Sequence, residues 1–188
     1  MSLVEMMVAI FIFTILTVTA LSVMITLLDT SSSANHRFDN VDDVQPVMDV
    51  LTSDIRAAST VCTANPESVV IVTDLGYAGG PTLMDFTLST TGTLNESSEQ
   101  SGACPTSSAP FQPTAGHVLT SKIVYPSSNE TPVFSYFDST GATTTTAASV
   151  ASVAINLVDN DDTDIPASAA TVTAQVWLRN VLYSDANT

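Results

Sequence analysis

Between Glu5 and Asp29 the chain carries no charged side chain. At about 1.5 Å of rise per residue, a helix over residues 6–28 is about 35 Å long, enough to cross a bilayer core of about 30 Å. A helix apolar on every side is not an amphipathic element of a soluble core, so the chain has to be read in two parts. The residues from about 60 onward are left to build a separate soluble domain of ordinary length.

The flanks of this run are unusual for an anchor. A single-pass segment carries Lys or Arg on its cytoplasmic side, yet no basic residue occurs before Arg37. A secretory signal fits poorly, because the run is too long and no small-residue cleavage site follows it. A basic leader removed ahead of Met1 is therefore the expectation. Glu5 sharpens it, because a carboxylate carried to the bilayer centre costs about 2.5 to 3.5 kcal/mol and needs a partner. A helix cannot easily fold its own terminal ammonium back onto its fifth residue. The amine of an adjacent, axially offset subunit could meet Glu5, which would make the carboxylate a device for setting register.

The segment Ser2-Leu3-Val4-Glu5-Met6-Met7-Val8-Ala9-Ile10-Phe11 closely resembles the N-terminus of mature type IV pilins and of the pseudopilins of type II secretion. The resemblance implies that a prepilin peptidase removes a short leader, that Met1 is the exposed and N-methylated residue, and that Glu5 serves assembly. Most family members begin with Phe, so Met1 departs from the commonest pattern and leaves open that translation starts here. The implied fold is α+β, a long N-terminal helix packed on an antiparallel β-sheet head. The expected division is a membrane and filament-core helix over 1–28, its amphipathic continuation over 29–59, and a globular head over 60–188.

Periodicity supports that division. Val44, Met48, Leu51, Ile55 and Ala58 recur at spacings of three and four, which is one apolar stripe. Residues 2–59 read as one helix of about 87 Å if unbroken. Pro46 either bends that helix or opens a second one after a break at Asp42 or Asp43. Thr14, Thr17, Thr19, Ser22 and Thr26 lower the helix propensity of the apolar half without forbidding it. Beyond Cys62 the period becomes two, with strands expected over 68–73, 83–89, 118–125, 132–138, 150–158 and 171–181. In the last of these, Val172, Ala174, Val176 and Leu178 should cover the helix stripe. Phe134-Ser135-Tyr136-Phe137-Asp138 and Val176-Trp177-Leu178-Arg179-Asn180 resemble, more weakly, the heads of larger minor pilins and pseudopilins.

Charge excludes one class of partner. Four basic residues face nineteen acidic ones, for a formal charge of -15, so phosphate backbones are repelled and nucleic acid is not expected. The head holds twelve of the acids against Lys122 and Arg179. Cys62 and Cys104, outside any metal-ligand spacing, read as a structural disulfide. It closes a loop of about 40 residues, worth about 4 kcal/mol in the chain-entropy view.

No nucleophile elbow, P-loop, HExxH or dinucleotide fingerprint occurs, so no enzyme is expected. His117 reads as a surface loop residue and His36 as lying at the membrane boundary. Asp159, Asp161, Asp162 and Asp164 concentrate oxygen ligands of the kind calcium takes. They lack the glycine and distal Glu of an EF-hand, and an acidic hairpin in water accounts for them equally. No other cofactor is expected. Asn95 and Asn129 stand in N-glycosylation sequons, and Thr143, Thr144, Thr145 and Thr146 form a hydroxyl tract open to O-glycosylation, with plain solvated loop as the alternative.

The leading expectation is a major pilin, a homopolymer serving adhesion, motility or surface display. It would wait in the cytoplasmic membrane, meet the prepilin peptidase and an inner-membrane assembly machinery, and end in an extracellular filament. The alternatives are a minor pilin or secretion pseudopilin at the filament tip, and a monomeric membrane-anchored binding domain.

Overall fold

The computed structural model describes residues 3–74, 80–126, 131–159 and 169–179. Helix α1 spans Leu3–Ala57, 55 residues, or about 80 Å. It runs without a break past Asp42, Asp43 and Pro46. Pro46 sits on an exposed face, where water can solvate the carbonyl that loses its backbone donor. Arg56 lies in the last turn, where its charge complements the helix dipole.

The C-terminal half of α1 buries Asn40, Val44, Val47, Met48, Leu51 and Ile55. These extend the predicted stripe by Val47 and by one polar residue. Each large apolar side chain so buried contributes about 1.5 to 3 kcal/mol.

Two antiparallel sheets receive this face, where a single sheet was expected. The first is a meander in chain order, β1 (Ala58–Asn65), β2 (Ser68–Thr73), β3 (Thr82–Leu88), β4 (Leu94–Glu99) and β5 (Ala115–Thr120). The second is β6 (Phe134–Phe137), β7 (Ser152–Asp159) and β8 (Ala170–Trp177). One core joins α1 to both sheets, with Phe86, Ile71 and Leu94 from the first and Phe134, Ile155, Leu157 and Val176 from the second.

Strand β2 coincides with its expected span, and the others shift at their ends. The strand expected over 118–125 begins earlier, at Ala115, and stops at Thr120; Ile123 returns as an isolated bridge to Asp159. Strands β1 and β4 were not foreseen. β1 has two register irregularities that spoil alternation, and β4 (LNESSE) offers one apolar residue, Leu94. In β8, Val176 is buried and Val172 and Ala174 partly so, while Thr171, Thr173, Gln175 and Trp177 face out, as predicted.

The first sheet is covered on its second face too. Val70, Val72 and Leu83 form a separate small cluster, packed by Cys62, Cys104 and Phe111. The Cys62–Cys104 disulfide, Cα to Cα 5.3 Å, ties the segment after β4 onto β1. Cys62 thus sits within a strand, five residues past the helix. Between β3 and β4 the chain turns at Gly92, whose φ of 81° is the left-handed region. A Cβ there would collide with the carbonyl of Ile123, so glycine is required twice over.

Candidate assembly surface

Among the described residues, no part of the head covers the apolar half of α1. Large side chains from Leu3 to Leu28 are exposed around the whole helix, Phe13 at 70% and Leu16 at 60%. By length and composition this helix can cross a membrane. The threonine hydroxyls of this half are satisfied from within: those of Thr14, Thr17, Thr19 and Thr26 donate to carbonyls three or four residues back, at 2.8 to 3.1 Å. Side chains bonded in this way expose no unmet donor, so the segment can lie in lipid or against other helices.

Glu5 occupies the first turn of this helix, where the positive end of the dipole favours a carboxylate. It is exposed among apolar neighbours. Met1 lies outside the described residues, as do Asn129, Asp161, Asp162 and Asp164.

The remaining predicted positions scatter over the head. Asp159 ends β7 opposite Ala170 and is fully buried, unlike an acid of a hairpin in open water. Among the described residues no group of three or more His, Cys, Asp or Glu side chains is placed to hold a metal ion. Asn95 lies in mid-sheet on β4, paired with Thr87 and Val118 and partly buried, not in a solvated loop. Thr143, Thr145 and Thr146 are exposed, while Thr144 is partly buried, its hydroxyl within 2.9 Å of that of Ser149. His36 is a partly buried helix residue.

His117 corrects a further expectation, because it belongs to strand β5 and pairs with Glu96, Nε2 to Oε2 3.4 Å. The two line a groove of about 690 Å³ between sheet and helix, together with Asp49, Ser53 and Asp54 of α1. Nothing in the sequence marked this groove, since it depends on the unforeseen β4. Nearby, the Lys122 ammonium meets Asp43 at 2.6 Å, a half-exposed link between helix and head. The Tyr136 hydroxyl lies 2.8 and 2.9 Å from the carbonyls of Asn65 and Ser68, binding the second sheet to the first. Burial raises its pKa, outweighing the lowering by the Asn65 hydrogen bond.

Compared with protein-family models, with curated proteins and with solved structures, the chain gives no significant match. What stands is the architecture itself, one long apolar N-terminal helix packed on antiparallel sheets with a disulfide.

Proposed function

We propose that this chain is a structural subunit of a type IV pilin-like extracellular filament, repeated along it as the major subunit. The observation that carries the reading is the apolar half of α1, helical, internally satisfied in its threonine hydroxyls and, among the described residues, bare on every side, while the other half is built into the head. A membrane alone could cover that surface in a monomer. The motif around Glu5 favours a second destination, the helices of identical subunits, with Glu5 meeting the amine of its neighbour and fixing axial register. The role is structural rather than catalytic. Processing at Met1 by a prepilin peptidase, passage through the cytoplasmic membrane and an inner-membrane assembly machinery belong to the same proposal.

Glu5→Leu tests it in cells where this chain is the sole subunit. The head should stay folded and the chain membrane-inserted, while sheared surface filaments fall severely relative to wild type. Glu5→Gln should be milder, because it keeps a hydrogen-bonding group. Wild-type filament yield in Glu5→Leu, or no filaments from the unaltered chain, would reject the polymer in favour of an anchored monomer.

A further inference from the structure

The outward face of the second sheet is built differently from the rest of this acidic head. Register places Phe137, Ser152 and Trp177 in one row across the three strands. The next row is Ser135, Ala154 and Gln175, and beyond it Asn156 stands opposite Thr173. Trp177, the chain's single tryptophan, is 48% exposed. The Gln175 amide donates to the fully buried hydroxyl of Ser152, Nε2 to Oγ 3.1 Å, which holds one end of that side chain in place.

Two shallow depressions of about 310 and 300 Å³ lie along this face and share Thr131 and Asn156. Together they form a trough running away from Trp177. Among the described residues neither lining contains an ionisable side chain, in a chain of formal charge -15. Its polar groups are amides and hydroxyls, which both donate and accept hydrogen bonds.

These features select an occupant. The net negative charge of the chain repels anions, and the described residues of the lining offer no carboxylate to a cation. An extended peptide would add to a strand edge, whereas the trough lies on a sheet face. A ring with one apolar side and a hydroxylated rim matches both elements, stacking on the indole and exchanging hydrogen bonds with Gln175, Asn156 and Thr173. We propose that this face is a binding site for a neutral oligosaccharide, with Trp177 as the stacking platform at one end and Asn156 near the middle of the trough. The site does not depend on whether the chain polymerises.

The single tryptophan makes the test direct. The full chain in a zwitterionic detergent without a sugar headgroup is titrated with maltohexaose, cellohexaose, xylohexaose and mannohexaose, with a heparin-derived sulfated hexasaccharide as the anionic comparison. At least one neutral hexasaccharide should shift Trp177 emission saturably, and the sulfated one should not. Gln175→Ala and Asn156→Ala should each weaken that binding about tenfold, Asn156→Ala without altering thermal unfolding, and calorimetry should find binding lost in Trp177→Ala. Silence from all four neutral sugars, equal response to the sulfated one, or unchanged affinity in both alanine variants overturns the proposal. An emission shift that follows protein concentration without sugar would assign the face to a second copy instead, and overturn it equally.

Discussion

Asp54 of α1 and Glu96 of β4 line one groove from opposite sides. Burial, with a smaller contribution from the Glu96 charge, pushes the Asp54 carboxyl up to about 6.

The folded chain therefore holds a proton at Asp54 more tightly than the unfolded chain, where an aspartate titrates near 3.9. Between about pH 4 and 6 the contribution of this site to stability falls as pH rises, and at neutral pH the charged form is a net cost. Asp54→Asn should raise stability at pH 7.5 by about 1 kcal/mol, a figure reduced for the half-exposed position. The gain should vanish by pH 4. Urea titrations of the full chain in detergent at both pH values decide it, and an equal gain at the two would remove Asp54 as the titrating group. Asp49 and His117 share the groove, so the Asp54→Asn difference isolates one group among four.

The parts of the fold legible in the sequence were those with an unbroken period. Val44, Met48, Leu51 and Ile55 announced the buried helix face, and residues 68–73 announced a strand that is where it was expected. Strand β4 was illegible because its outer residues are polar and only pairing with β3 and β5 makes it a strand. The groove was lost with it, since Glu96 and His117 become neighbours only through that pairing. The trough beside Trp177 was illegible for a related reason: cross-strand register, not sequence distance, brings Phe137 and Trp177 into line.

The disulfide makes a second expectation quantitative. Removing it with Cys62→Ser and Cys104→Ser should cost about 4 kcal/mol for a loop of this length. The loss should be local first, because the cluster of Val70, Val72 and Leu83 is covered by Phe111 and by the pair itself. Hydrogen exchange should quicken in β2 and β3 before it does in β7 and β8. Uniform loosening of both sheets would contradict a covering role, and two alkylatable thiols in the native protein would contradict the bond.

Gly92→Ala should be far costlier than an ordinary turn substitution. It combines a left-handed backbone with a collision against the Ile123 carbonyl, which also bears on the Ile123 N–H to Gly92 carbonyl bond of 3.1 Å. A loss of about 2 kcal/mol or more is expected by chemical denaturation. Gly141→Ala, at a φ of 83° with open space around it, should cost about 1 kcal/mol. If the two losses are equal, the collision at Gly92 is relieved by movement of Ile123.

Two leucines on one helix should separate folding from assembly. Leu51 is fully buried against the sheets and Leu16 is 60% exposed, though both have the same side chain and the same helical backbone. Leu51→Ala removes buried methylene groups and leaves a cavity, so the head should lose about 2 to 5 kcal/mol. Leu16→Ala touches no described head residue and should leave the unfolding transition in detergent unchanged, since surface substitutions rarely exceed about 0.5 kcal/mol. In a filament the order of effects differs. Leu16 would be packed among neighbouring helices, so its truncation should make sheared filaments shorter or more easily dissolved by detergent, whereas Leu51→Ala should lower the amount of folded subunit with little change in the filaments that form. Chemical denaturation of the full chain, paired with filament yield and detergent resistance, reads both quantities. If Leu16→Ala filaments match wild type in length and resistance, the bare half of α1 is covered by lipid alone, and the polymer reading loses its packing surface even where Glu5 behaves as proposed.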